Sequence, residues 1–514
     1  MRVLMWHGWL LEGSGSNVQT ARIARVLTSA GHDVLLLCQE RHPERYPWIE
    51  AWGTVGKDGP SALASNESSS TASNAPTSPA GRCVLLRPEI GGLLPVFVVD
   101  EYEGFDVRRF VDLTPAELDS YLERNVEALR AAAAWHRTEL VFAGHAVPGA
   151  AIARRAVGPG RYVATVYGSD LEYAIRPQPR YRELAREGLQ AARAVVGPTS
   201  DVLARCEELV PGIAHLARRV PPGVDVESFR PMPRREALLE TASRLNADLD
   251  TARGRRSDLD AQVRSALERR DAVMLDDLAT RYDQEVPDPD AAARLRALAV
   301  ERHLIGYLGK LIPQKGVESL LAAAYRSRLR PSTLIVGFGL HREWLVALTM
   351  ALKTNNVAAL AWLRTVGRMP LGISEVERPN GRAGARVWFT GRLDHRYAPG
   401  ALAAMDILVV PSILPEAFGM VAAEGAAAGA LPLVARHSGL SEVAESLEDA
   451  VGRPRLLSFE PGPGATGRIA EAIDRLLALP GEEREELREE LSRFVAREWS
   501  WERAVERLLR AAQS

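Results

Sequence analysis

Cysteine is scarce: Cys38, Cys83 and Cys206 are the three in 514 residues. An odd number of widely separated thiols, none paired at metal-ligand spacing, excludes a disulfide framework and a zinc site and fits a reducing, cytoplasmic compartment. Charge of one sign is not in excess either. Lys and Arg number 64 against 66 Asp and Glu, a formal net charge of −2, so no overall field draws the chain to nucleic acid or to an anionic membrane. A local patch would still leave peripheral membrane contact open. Long apolar runs are lacking near the start, where residues 3–6 are cut off by His7 and Gly8. That run is too short for a signal peptide, and no transmembrane segment is expected. What the chain does have is length and apolar content. With 46% hydrophobic residues over 514 positions it exceeds one ordinary core, and two globular domains with insertions are expected.

Residues 3–6 read as a buried strand, followed by a Gly/Ser loop at 13–16, a helix with Val18, Ile23, Ala24 and Leu27 apolar, and a second strand at 34–37. This is a βαβ opening. Gly13-x-Gly15-x-x-Val18 half matches a dinucleotide fingerprint, with Glu40 placed for a ribose. The third glycine is missing, however, and six residues separate the strand from Gly13, which weakens that reading. Residues 53–81 are rich in Ser, Ala, Asn, Gly and Pro and read as a disordered loop. Strands at 140–143, 162–166 and 195–197, with helices between, complete an alternating α/β domain over 1–218. The Pro-Pro-Gly bend within 220–225 marks the crossing to a second domain over 219–480. There, strand-turn-helix units restart at 304–308 after a charge-alternating stretch, 234–298, that reads as a solvated helical hairpin. Residues 481–514 form a C-terminal helix pair expected to pack across both domains.

Two stretches of the second half carry chemistry. Lys310 and Lys315 flank a short loop after a strand, and two ammonium groups held there can neutralise a departing diphosphate without losing a proton. Glu416 and Glu424 stand eight positions apart around a Phe-Gly turn that opens a small-residue helix near Gly419. The first free N–H groups of such a helix, with no large side chains in the way, suit an anion. Taken alone, the two acids could equally be solvated helix-end charges.

Together these residues resemble a retaining, nucleotide-sugar-dependent glycosyltransferase of the GT-B fold, in the family numbered four. The resemblance rests on Gly309-Lys310 with Lys315-Gly316, on Phe389-Thr390-Gly391-Arg392, on the spacing of Glu416 and Glu424, and on His437-Ser438-Gly439 before Glu442. It covers both domains apart from 53–81 and 234–298. It implies an α/β architecture of two doubly wound Rossmann-like domains facing a cleft, the first binding acceptor and the second donor, with a C-terminal helix crossing back to the first. It also implies that Glu424 holds the donor ribose and Glu416 the donor sugar. Phe418, Gly419, Met420 and Val421 would offer backbone N–H groups, Lys310 and Lys315 would hold the diphosphate, Gly15 and Ser16 would approach it from the first domain, and Arg392 would lie against the base. No metal or other cofactor is implied. The nucleotide sugar is a co-substrate, and the acceptor hydroxyl is unidentified.

One departure stands out. Where the family usually has a His, after the strand ending at Val166, this chain has Tyr167. Tyr167, Asp170 and His145 are therefore the acceptor-side candidates. Alternatives on the same architecture are a nucleotide-sugar epimerase, a sugar phosphorylase, or a nucleotide-sugar-binding protein without activity.

Overall fold

The computed structural model describes residues 1–65, 81–98, 102–366 and 386–513. The chain divides into two compact units, Met1–Gly223 with Trp501–Ser514, and Val224–Ser500.

In the first unit the strands are β1 (Arg2–Trp6), β2 (Asp33–Leu37), β3 (Ala51–Gly56), β4 (Gly59–Pro60), β5 (Ala64–Ser65), β6 (Cys83–Pro88), β7 (Leu93–Val96), β8 (Asp106–Arg109), β9 (Leu140–Gly144), β10 (Tyr162–Thr165), β11 (Ala194–Gly197) and β12 (Ala217–Arg219). The main sheet runs β12-β11-β10-β9-β1-β2-β6-β3-β4. Its central strands are parallel, and beyond their first residues β1 and β2 are apolar and buried, as strands covered on both faces must be. β1 pairs β2 on one side and β9 on the other, so the strand order reverses between β1 and β9.

The expectation of a disordered loop over 53–81 is corrected in its first part. Residues 51–56 form β3, parallel to β6, with β4 and β5 antiparallel to it. The cause is a period-two alternation hidden in a Gly- and Ser-rich composition: Ala51 and Val55 point into the core while Trp52 and Thr54 lie at its edge. Residues 66–80 lie outside the described residues.

The second unit carries β13 (Leu304–Leu308), β14 (Ser332–Val336), β15 (Val387–Phe389), β16 (Ile407–Val410), β17 (Leu431–Ala435) and β18 (Ser458–Phe459). All pairs are parallel, in the order β15-β14-β13-β16-β17-β18. That is the Rossmann order, which reverses between its first and fourth strands, β13 and β16. Ligands of such sheets bind outside the strands' carboxyl ends at that reversal.

The stretch 234–298 is not a solvated hairpin. It forms four helices, Arg234–Ala247, Asp260–Arg269, Ala272–Arg281 and Ala291–Leu298. Their Leu238, Leu245, Val263, Leu267, Leu275, Leu278, Leu295 and Leu298 are buried in the core of the second unit. A buried leucine is worth about 1.5–3 kcal/mol, so even this thin stripe suffices to dock the helices. Leu249, also in the apolar pattern, is 90% exposed and takes no part.

The C-terminal segment divides between the units. Helix Gly481–Glu498 packs against helices Met420–Ala427 and Ser438–Ala450 of the second unit, whereas helix Trp501–Gln513 packs on helix Gly15–Ser29 and on β10 and β11 of the first.

Candidate donor and acceptor sites at the sheet reversals

In the second unit the loop after β13 carries Lys310 and Lys315, and the loop after β16 carries Glu416. These loops flank the reversal and are joined along their backbones. Ile413 N donates to Gln314 O at 2.9 Å. The approach is close enough that a Cβ on Gly316, itself left-handed (φ 65°), would lie 2.2 Å from Pro411 O, so only glycine fits there. Across this junction the Lys315 ammonium binds Glu416 Oε1 directly. Ser412 Oγ donates to the same oxygen at 2.5 Å, and the Glu416 N–H donates to Ser438 Oγ at 3.0 Å. Two residues assigned separate roles from sequence are thus one ion pair. Ser412, which had no assigned role, and Ser438, named only within the His437-Ser438-Gly439 motif, hold it.

Helix Met420–Ala427 opens immediately beyond. Its N-cap Gly419 is left-handed (φ 94°) and supplies no side-chain cap, so first-turn N–H groups are left for an anion. The Phe418 ring is buried edge-on against Trp499 at 5.2 Å, which leaves only its backbone facing the turn. One turn further, Glu424 is half-buried. Loss of hydration, and then Asp225, push its carboxyl up to about 7.

Lys310 lies over the Phe338 ring at 5.5 Å, and the Arg392 guanidinium lies over the same ring at 5.7 Å. Both cations meet acids from the helical insertion. Arg392 Nη1 donates to Glu285 Oε2 at 2.8 Å. Asp283, its carboxyl raised by burial, is close enough to Lys310 for that charge to offset part of the rise. The insertion reaches this edge because Arg392 N donates to Val286 O at 3.1 Å and Asp288 N to Thr390 O at 2.8 Å. Neither acid was legible beforehand, since the backbone pairing that brings them in leaves no motif.

In the first unit the reversal lies between the loops after β1 and β9. Helix Gly15–Ser29 is capped by Ser14, whose side chain accepts from Asn17 N. An added Cβ at Gly15 would meet nothing within 4 Å, so the space before Gly15 and Ser16 is open. Beneath them His7 Nε2 lies 2.8 Å from Asn17 Oδ1, and burial followed by His145 lowers the His7 pKa to about 3. His7 stays neutral at any ordinary pH.

After β9, His145 is 2% exposed and left-handed (φ 68°), an arrangement that costs of order 1–3 kcal/mol and concentrates at functional positions. Neither ring nitrogen has a hydrogen-bond partner among the described residues. The rings of Tyr167 (4.4 Å), Trp9 (4.6 Å) and Phe97 (4.9 Å) surround it. Asp170 lies 3.7 Å from His145 Nδ1 but is fully buried. Its carboxylate accepts from the N–H groups of Ala146 (2.8 Å), Tyr167 (3.1 Å) and Leu171 (3.0 Å). Asp170 therefore fixes the loops bearing His145 and Tyr167 instead of facing an acceptor itself. Among the described residues, no group of three or more His, Cys, Asp or Glu side chains could hold a metal ion, and no helix is long and apolar enough to cross a membrane.

The architecture, two Rossmann-like α/β units, is the GT-B fold, and solved structures share it along the whole chain. Sucrose-phosphate synthase from Thermosynechococcus elongatus is 16% identical with a TM-score of 0.54, covering 100% of this chain and 98% of its own. HepE of Anabaena, in complex with UDP and glucose, is 13% identical with a TM-score of 0.56, covering 100% and 99%. A glycosyltransferase from Rickettsia africae is 13% identical with a TM-score of 0.54, covering 100% and 98%. At these identities the likeness is one of fold. The sequence adds a narrower link: residues 380–493 match the model of the family Glycosyl transferases group 1, a segment that includes Arg392, Glu416 and Glu424. No curated protein sequence matches the chain.

Proposed function

We propose that the protein transfers a sugar from a nucleotide-sugar donor to an acceptor hydroxyl, with retention of anomeric configuration. The observation that carries this reading is the Lys315–Glu416 pair, held at the reversal of a Rossmann sheet beside an uncapped helix N-terminus and a half-buried Glu424. The group 1 match over 380–493 and the UDP and glucose bound by the structural neighbour HepE support it.

In the reaction the bond from the anomeric carbon to the diphosphate oxygen breaks while the acceptor oxygen bonds to that carbon on the same face. The acceptor's proton passes to the departing diphosphate. Lys310 and Lys315 neutralise the charge that develops there, and the N–H groups of the helix opened by Gly419 bind phosphate. Glu416 accepts from donor-sugar hydroxyls and Glu424 from the ribose. Arg392 lies along the base. In the first unit Gly15 and Ser16 offer an anion-binding helix start, and Tyr167 with His145 are the acceptor-side residues, which Asp170 positions. The protein's work is orientation and leaving-group stabilisation, and no metal takes part.

The test is release of nucleoside diphosphate from a panel of UDP-, GDP- and ADP-sugars, with and without candidate acceptors. Turnover of one donor, strictly dependent on acceptor and lowered about 100-fold in Lys315→Ala, supports the proposal. No release from any donor sinks it, and release without acceptor argues for a different reaction.

A further inference from the structure

Three consecutive residues, His341, Arg342 and Glu343, open helix Arg342–Lys353, and each takes a buried partner from a different segment. His341 Nε2 donates to Glu318 Oε1, Arg342 Nη1 donates to Asp288 Oδ1 at 2.8 Å, and Glu343 Oε1 accepts from Arg255 Nε at 2.8 Å. None of these six side chains is more than 6% exposed. Asp288 and Arg255 come from the helical insertion, whereas Glu318 sits in the first turn of helix Val317–Arg326, three residues beyond Lys315.

The same turn is tied by backbone to the loop that bears Lys310. His341 N donates to Leu311 O at 3.1 Å, and Leu311 N to Phe338 O at 2.5 Å. From below, the buried Tyr307 hydroxyl donates to Lys310 O at 2.9 Å. Glu318 Oε2, shielded from solvent, has no hydrogen-bond partner among the described residues. A carboxylate with one oxygen unsatisfied in the interior is a poor stabiliser. What the bond to His341 does accomplish is geometric: it joins the helix that follows Lys315 to the turn that holds the Lys310 and Phe338 loops.

We propose that Glu318 and His341 form a positioning pair that sets Lys310 and Lys315 in register for the diphosphate of a nucleotide, with neither residue touching the ligand. This rests on the donor-site reading above. The insertion, through Asp288 and Arg255, braces the same turn.

The test combines hydrogen exchange of the ligand-free protein with calorimetric titration of UDP, GDP and ADP, on wild type, Glu318→Gln, Glu318→Ala and His341→Ala. In Glu318→Gln the amide oxygen still accepts from His341, so exchange at 309–316 and 337–341 stays slow and nucleotide affinity stays within about 3-fold of wild type. In Glu318→Ala and in His341→Ala exchange accelerates in those two segments and not in the first unit, and affinity falls at least about 10-fold, in line with the sensitivity of such sites to small displacements. If Glu318→Ala does not fold, His341→Ala carries the same expectation. Unchanged exchange in the alanine variants overturns the proposal. So does an equal loss in Glu318→Gln, or faster exchange with unaltered nucleotide affinity. Wild type that binds none of the three nucleotides overturns the donor reading itself, and the exchange data separate that failure from a failure of the loop tie.

Discussion

Glu424 is where a single side chain makes the donor reading measurable. Loss of hydration, and then the charge of Asp225, push its carboxyl up to about 7. A carboxylate accepting two ribose hydroxyls is favoured in its charged form, so nucleotide binding should tighten as pH rises from about 6 to 8 and release less of that dependence in Glu424→Gln. The stability effect has the opposite sign. Because the folded-state pKa lies above the ordinary value of 4.5, the contribution of this group is full below about 4.5 and is lost as pH rises through about 7. Glu424→Gln should therefore gain stability on wild type at pH 8 relative to pH 5, by up to about 3 kcal/mol. Thermal melts at the two pH values check it, and a difference independent of pH contradicts it. Glu416 is held by Lys315 and Ser412. Glu416→Gln should mainly slow transfer and Glu424→Gln mainly raise KM, which steady-state kinetics with the preferred donor resolve.

At this scale the sequence was most legible where spacing alone brings groups together: the lysine pair and Glu416 lie on loops that follow single strands, and Glu424 on the helix that opens just beyond. Asp283 and Glu285 were not legible, because each meets its cation from a segment distant in the chain; His7, Asn17 and Ser412 pair with nearby residues but at spacings that carry no motif.

Elements were legible in proportion to how periodic they are. Helix Pro115–His136 opens on Thr114-Pro115-Ala116-Glu117, whose capping box is formed, Thr114 Oγ1 accepting from Glu117 N while the Glu117 carboxylate accepts from Thr114 N. Thr114→Ala should cost about 1 kcal/mol in denaturant unfolding of the first unit. The insertion was legible as helical but misread as solvated, since a stripe of one leucine per turn or less gives no sign of what it packs against. Leu238→Ala or Leu295→Ala should cost about 2–5 kcal/mol. A surface hairpin would lose about 0.5 kcal/mol or less, so the two accounts separate cleanly in chemical denaturation. β3 was missed for the opposite reason, its alternation being diluted by glycine and threonine among small polar residues.

For the molecule as a whole, the strand order of the second unit does what composition cannot. It places the Lys310–Lys315 loop and the 411–419 loop on either side of one reversal, and it makes their meeting a consequence of topology. The two compact units part at Gly223–Val224 and again at Ser500–Trp501. The first unit repeats the logic, with His7 and His145 on the two loops of its own reversal.

The central claim is that the second unit binds a nucleoside diphosphate through Lys315 and Glu424, and calorimetric titration of UDP, GDP and ADP into wild type, Lys315→Ala and Glu424→Gln tests it most directly. One nucleotide should bind wild type at a single site and, at one hundred times its Kd, stabilise the protein by about 2.7 kcal/mol. Both variants should remain folded and bind it at least about 10-fold more weakly. Absence of binding by all three nucleotides, or binding that neither variant weakens, would contradict the account.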